Sequence, residues 1–491
     1  MVMIPLSFVL AISAVWAAPN TGNPNALWSC LSGKGWNLET VSNANYAKDS
    51  TAFNERLSFK PVAIVSPPDL NGVAGAVNCA RTNNFKVSAL SGGHSYAAFG
   101  LGGQDNQVVI NLKNLKNITL NSDGTVVSGT GNRLGDLAQA IWDQGQRALP
   151  HGTCPYVGTG GHTSYGGFGL FSRQAGLLLD TVVSAQVVLA NGEVVTASPT
   201  QNTDIFWAIR GAAPSFGIVV SWTYQTVPAP STVTFQLGWS KSLTQNQFVT
   251  AFSAFQNFST TAPNALGFDG DIGADGNGGI SLTFLGVWYG AASQFQSTIA
   301  PFLAKIPAGY TLTANNMTWI QQLDFLAGSS SLSTAAPDTL AQHDTFFAKS
   351  LMTTGPSSQT ALNSFASYLY SQGAHSDTNW FIGFDLYGGK ISQTASNATA
   401  YTNRNAFITY QFYASSQNSN PPYPADGISF VTNMLNSLEP NPQEAYPNYV
   451  DPTLTAAQWK SQYFSTNYAR LLSIKNSVDP QQVFSFPQSI S

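Results

Sequence analysis

The chain has 491 residues, more than one ordinary hydrophobic core accommodates, so two lobes are expected. Only 9% of the residues are charged and the net charge is −4, which leaves no basic footprint for nucleic acid. Nor do the five histidines fall at metal-ligand spacings, so no metal is expected.

The chain starts with an apolar run, Met3 to Trp16, that ends in small residues, with Val15 and Ala17 placed for signal cleavage. The run is too short to anchor in a bilayer, and no later stretch is long and apolar enough to cross one. A signal peptide over 1–17 and a soluble, extracellular mature protein with no membrane contact are therefore expected. Four Asn-x-Ser/Thr sequons, at Asn117, Asn257, Asn316 and Asn397, are usable only on the surface of such a chain. Of the three cysteines, Cys30 and Cys79 precede the first glycine-rich loop and can staple the N-terminal segment to the next unit. Cys154 is then the odd one, either a buried thiol or committed to another bond.

Ala63–Ser66 reads as a short strand ended by Pro67 and Pro68. Asp69 then caps a helix whose apolar positions Val73, Ala76, Val77 and Ala80 follow helical spacing. A second strand enters the loop Val87–Gly103, VSALSGGHSYAAFGLGG. Strands at Val108–Leu112 and Thr125–Ser128 follow, then a helix at Leu134–Gln144, with Gly129–Gly131 supplying residues that tolerate left-handed backbone. The second glycine-rich loop is Leu149–Gly169, LPHGTCPYVGTGGHTSYGGFG. Glycine lets the main chain come close to a ligand, and successive N–H groups in such loops form anion-binding concavities. Two such loops, each holding one nucleophile (His94 or Cys154), suggest a phosphate-bearing cofactor gripped at two points.

Thr181–Leu189 alternates as a strand up to the Asn191-Gly192 turn, and Glu193–Ala197 returns. A helical segment, Asp204–Arg210, leads to GAAPSFGIVVSWTYQ. The pattern loosens around Val227–Pro230, a boundary signal. Beyond it, alternating strands (Ile280–Tyr289, Asn379–Leu386, Ala406–Tyr413) among helical stretches predict an antiparallel sheet with helices on one face.

The paired segments SGGHSY and HGTCPxVGxGGH closely resemble the flavin-attachment segments of fungal oligosaccharide oxidases. These belong to the berberine-bridge-enzyme-like branch of the vanillyl-alcohol-oxidase (p-cresol methylhydroxylase-type) superfamily. The resemblance covers nearly the whole mature chain and implies an α+β fold. A two-lobed FAD-binding domain of the p-cresol methylhydroxylase type would span 18–228. A substrate-binding domain, an antiparallel sheet flanked by helices, would span 229–440 and roof a groove. Residues 441–491 would return to the FAD domain carrying the catalytic Tyr. By the same resemblance FAD is held by two covalent bonds, from His94 and Cys154. Its other contacts would come from Ser91, Gly92, Gly93 and Ser95, from Gly152, Thr153, Gly158, Gly161 and His162, and from Gly217, Ile218 and Val219.

Oxidising an alcohol or lactol with a flavin requires removal of a hydroxyl proton and transfer of hydride from carbon. A free phenol, with a pKa of about 10, is a poor base without assistance. Tyr446–Leu454, YPNYVDPTL, resembles the family's NYAD element, whose Tyr is the base, here Tyr449. Trp380–Lys390, WFIGFDLYGGK, resembles the segment whose Asp hydrogen-bonds the reacting hydroxyl, here Asp385. An ionised carboxylate within an aromatic strand is costly to bury unpartnered, which independently suggests a site. Tyr96 matches a family Tyr near flavin and substrate, and Gln411 a substrate-binding Gln. Two departures stand out: Gly383 where several relatives carry Gln, and Val450 in NYVD. Trp319, Trp380 and Tyr387 are candidates for stacking on sugar rings.

The expected protein is a secreted, monomeric oxidase converting the C1 hydroxyl of a reducing oligosaccharide to the lactone, with dioxygen reduced to hydrogen peroxide. The alternatives are a berberine-bridge-like oxidase of a non-sugar alcohol or secondary metabolite, and a non-catalytic carbohydrate-binding glycoprotein.

Overall fold

A computed structural model describes residues 22–334 and 343–491, so the expected signal peptide lies outside the described residues. β1 (Asn37–Glu39), β2 (Ala63–Ser66), β3 (Val87–Leu90) and β4 (Val108–Asn111) form a sheet in the order β1-β2-β4-β3. β2, β4 and β3 run parallel, and the helix Leu70–Thr82 connects β2 to β3. The Asp69 side chain starts that helix by accepting the Gly72 N–H at 2.8 Å, and Val73, Ala76, Val77 and Ala80 are buried on its inner face. All of β2 is buried, as a parallel strand covered on both faces should be. A Cys30–Cys79 disulfide, with Cα atoms 5.8 Å apart, ties the helix Pro24–Ser32 to the connecting helix.

A second, antiparallel sheet follows, built from β5 (Ile118–Leu120), β6 (Thr125–Gly129), β8 (Val182–Val188), β9 (Val194–Ala197) and β10 (Ile218–Gln225). Its order is β5-β6-β10-β8-β9, while β7 (Arg147–Ala148) pairs with β11 (Val227–Pro228). The Asn191-Gly192 turn joins β8 to β9, with Gly192 at φ +80°. Gly129 and Gly131 are needed for space instead of left-handed backbone, since neither has a positive φ. A Cβ on Gly129 would lie 2.2 Å from the Leu115 carbonyl oxygen, and one on Gly131 2.1 Å from that of Leu112.

The third sheet comprises β12 (Thr232–Trp239), β13 (Leu266–Ala274), β14 (Ile280–Trp288), β15 (Tyr310–Met317), β16 (Phe346–Thr353), β17 (Asn379–Leu386) and β18 (Ile408–Ser415). All pairings are antiparallel in the order β15-β12-β14-β13-β17-β18-β16. Alternate side chains take opposite faces. Phe235, Phe268, Phe284, Phe384 and Phe412 pack against the helices Gln245–Ser259, Phe295–Leu303, Gln359–Ser371 and Gly427–Leu438. The face away from these helices is polar near its centre: Asp269 sits opposite Asp385, Asp271 opposite Gly383, and Gly383 opposite Gln411.

That alternation corrects the expected sugar-stacking residues. Trp380 shares the helix-facing side with Ile382 and Phe384 and is 7% exposed, its indole donating to the Gly373 carbonyl. Trp319, 2% exposed, packs on Phe171, and Tyr387, fully buried, stacks on Phe168. All three are core. The exposed ring on the polar face is Phe381, one position along from Trp380 and 36% exposed.

The last segment packs back onto the second sheet, with Val450, Trp459, Phe464, Leu471 and Ile490 in one core with Leu134, Phe206 and Trp222. All four sequon asparagines are exposed, and among the described residues no helix is long and apolar enough to cross a membrane. The sheets are clamped together at Arg404, which leads into β18. Its buried guanidinium makes a bidentate pair with Asp180, just ahead of β8, at 2.7 and 2.9 Å. Asp180→Ala strands that guanidinium, and the expected cost of about 3–5 kcal/mol would appear as a lower urea midpoint.

Candidate active site

The two glycine-rich loops meet at one point. A Cβ on Gly92 would lie 2.4 Å from the Gly158 nitrogen, and one on Gly158 would lie 2.2 Å from the Gly92 nitrogen. Only glycine at both positions allows the main chains this close. Ser91 lashes the contact, its Oγ donating to the Thr130 carbonyl at 2.6 Å and accepting the Gly160 N–H at 3.2 Å.

Beside this crossing lies a cavity of about 430 Å³. From the first loop, Ser91, Gly92, Gly93, His94, Ser95 and Tyr96 line it. The second loop contributes Gly152, Thr153, Cys154, Gly158, Gly161 and His162, and the start of β10 adds Ile218 and Val219 after Gly217. Tyr449 and Gln411 close the far end. The structure thus brings together every expected cofactor residue with Tyr96, Gln411 and Tyr449. Asp385 is the exception: it does not line the cavity but lies half-buried on the polar face of the third sheet.

The two nucleophiles are prepared differently. Burial pushes the His94 imidazole down to about 3, with Arg133 and His343 adding to it, so the ring is neutral and keeps a lone pair at pH 7. Cys154 is exposed on the cavity wall. His162, also pushed down to about 3 chiefly by burial, accepts the Gly152 N–H at Nε2 (3.0 Å) and so shapes the second loop. A Cβ added to Gly161 would meet nothing within 4 Å. A glycine-walled cavity with a neutral imidazole and an exposed thiol on its walls fits a flavin nucleotide attached at two points.

At the far end Tyr96 and Tyr449 stack in parallel, centroids 5.9 Å apart with planes 8° apart. Gln411 Nε2 donates to the Tyr96 hydroxyl at 2.5 Å. Tyr446 packs edge-on to Tyr449, but its hydroxyl accepts the N–H groups of Gly167 and Phe168 and the amide of Asn448. The Tyr449 hydroxyl makes no hydrogen bond among the described residues, which leaves it open to a ligand. Burial holds that phenol well above its usual range, with Asp385 and Tyr96 adding to the shift. Asp385 is pushed up to about 7, by burial first and then by Asp271.

Pattern reading missed Asp269 and Asp271. Both are raised, mainly by burial, and one Asp269 oxygen is buried without a partner. No ion pair among the described residues involves Asp269, Asp271 or Asp385. The alternation in DGDIGA was the available signal, since it sets both carboxylates on one face of a strand. Among the described residues no three His, Cys, Asp or Glu converge to hold a metal ion.

Residues 61–198 match the family model described as FAD binding domain, and residues 445–491 match Berberine and berberine like. The chain is 33% identical over 476 residues to a chitooligosaccharide oxidase of Gibberella zeae, covering 95% of this chain and 94% of that protein. The crystal structure of a carbohydrate oxidase from Microdochium nivale in complex with a substrate analogue superposes with a TM-score of 0.88, at 33% identity. It covers 95% of this chain and 99% of that one. A glucooligosaccharide oxidase from Acremonium strictum, with 6-S-cysteinyl, 8α-N1-histidyl FAD, superposes with a TM-score of 0.88 at 30% identity. The coverage is again 95% and 99%.

The loop crossing gives a paired test. Gly92→Ala should force the loops apart, at a cost of about 1–3 kcal/mol, and lower the flavin absorbance per protein. Gly355→Ala, outside the cavity and facing open space, should leave the unfolding midpoint unchanged.

Proposed function

The chain belongs to the fungal oligosaccharide oxidases, FAD-dependent oxidoreductases acting on CH–OH groups, and from that premise we propose a specific reaction and site. The protein oxidises the anomeric C1 hydroxyl of a reducing oligosaccharide to the lactone, outside the cell, and dioxygen becomes hydrogen peroxide. FAD is held through His94 and Cys154, as the cysteinyl and histidyl links of the Acremonium strictum enzyme suggest. When bound, it supplies the acceptor for the hydrogen and two electrons that leave C1.

The chain's own residues bind the sugar and handle its proton. Tyr449 Oη faces the cavity unpartnered and takes the C1 hydroxyl proton, while Asp385, titrating near 7, drives that transfer from the sheet behind. Gln411 holds Tyr96, and Tyr96 stacks on Tyr449, so the phenol is aimed before substrate arrives. Phe381, exposed and stacked on Tyr413 at 4.9 Å, presents an apolar ring to a further sugar unit. Gly383 leaves a notch: a Cβ there would lie 3.7 Å from Asp271 Oδ1 and 3.8 Å from Gln411 Oε1. The notch makes room for a ring substituent between a carboxylate and an amide.

The observation that carries this reading is the single cavity shared by His94, Cys154 and the open hydroxyl of Tyr449. Acid-precipitated protein should stay yellow, and His94→Ala and Cys154→Ala should each remove one attachment. Cello-, xylo- and chito-oligosaccharides, maltose and lactose should then be screened for peroxide. Yellow protein that makes none from any of them would point instead to a non-sugar alcohol.

The Asp385 carboxyl sets the pH dependence. Its pKa is raised, so it is ionised above about 7 and protonated below. Going down from pH 7, kcat/KM should fall about tenfold per unit. Asp271→Asn removes a like charge and should move that limb to lower pH.

A further inference from the structure

Residues 52–56, ahead of the first sheet's parallel strands, and residues 343–346, which lead into β16, are stitched together across 290 positions of sequence. Asp344 N–H donates to the Phe53 carbonyl and Glu55 N–H to the Asp344 carbonyl, each at 2.8 Å. Arg56 Nε donates to the Phe346 carbonyl at 2.9 Å, and His343 Nδ1 lies 2.9 Å from the Ala52 carbonyl. Asn54, 1% exposed, is the pivot. Its Nδ2 donates to the Tyr96 carbonyl at 2.9 Å, two residues past His94, and its Oδ1 accepts the Phe346 N–H at 3.2 Å.

This seam fixes the ring of Phe53. Its centroid lies 4.3 Å from that of the His94 imidazole with the planes 24° apart, and Phe346 packs edge-on to it at 5.6 Å. The His94 imidazole makes no hydrogen bond among the described residues, so the stack is what sets its plane. A nucleophile held in one orientation reacts far faster than one free to turn about its side-chain bonds.

We propose that Phe53 is the positioning residue for the covalent bond between His94 and FAD, and that this bond forms only when the leading segment of β16 has docked on residues 52–56. The histidyl linkage is then a lasting mark of a correctly assembled third sheet. The inference rests on His94 being an attachment residue. In net terms a carbon–nitrogen bond replaces a C–H bond on the cofactor's methyl group and an N–H bond on the imidazole. The two protons and two electrons released are taken by dioxygen as hydrogen peroxide. The aromatic ring contacts of Phe53 among the described residues are to His94, Tyr96 and Phe346, none of them in the loop that bears Cys154, so the proposal expects the cysteinyl bond to form without them.

The experiment compares purified holoenzyme of the wild type, Phe53→Leu, Phe53→Tyr and Asn54→Ala by weighing the tryptic peptides that contain His94 and Cys154. Wild type should carry flavin on both. Phe53→Leu, which keeps apolar bulk without a ring, should lose at least about tenfold of the flavin on His94 while Cys154 keeps its own. Phe53→Tyr should restore the histidyl link. Asn54→Ala, with the ring present and the seam weakened, should lower occupancy of His94 alone. Full flavin on His94 in Phe53→Leu overturns the positioning role, as does equal loss from both residues, which marks a collapsed pocket. Full occupancy in Asn54→Ala overturns the dependence on docking. Wild-type protein without flavin on His94 would instead overturn the attachment reading on which the proposal stands.

Discussion

Everything chemical in this protein depends on two main chains that touch. Gly92 and Gly158 stand where any side chain would strike the opposing backbone, and their contact sets His94 and Cys154 on the walls of one cavity. The constraint is steric, because a Cβ at either position would come within 2.4 Å of a backbone nitrogen and force the chains apart. Elements from three separate sheets are then arranged around the crossing. The loop after β3 brings the imidazole, the start of β10 closes a side, and β18 lowers Gln411 onto Tyr96.

The local parts of this arrangement were legible in the sequence. A cap at Asp69, the Asn191-Gly192 hairpin and the strand Asn379–Leu386 all formed where local chemistry put them. Each rests on neighbours within a few residues, and short-range rules reach that far. The glycine loops were legible for the same reason, since their composition is itself the steric requirement. Phase within a strand was harder. Trp380 and Phe381 are adjacent aromatics, and only the packing of four helices on one side decides which one meets solvent. A one-residue difference in phase exchanges core for binding surface.

Long-range relations were not legible. The hydrogen bonds between residues 52–56 and 343–346 join segments of no distinctive composition, and nothing in either segment announces the other. The acidic face has the same origin in part: Asp385 comes beside Asp269 and Asp271 only through the pairing of β13 with β17. Their proximity is a property of register, and register is set by the whole sheet.

Desolvation acts on all of these groups at once. The same burial that drives His94 down to a neutral nucleophile drives Asp385 up toward 7 and Tyr449 beyond its usual range. A phenol so raised holds its proton, and on its own it would be a poor base. In the proposed reaction a carboxyl poised near neutrality changes that balance, because Asp385 can accept or release a proton at little cost where Tyr449 cannot. Asp271 contributes by its charge alone, adding to the burial that lifts Asp385 into that range. In the proposed reaction the open hydroxyl of Tyr449 and the raised carboxyl of Asp385 act together, and the pairing of β13 with β17 brings that carboxyl to the aspartate that helps to raise it.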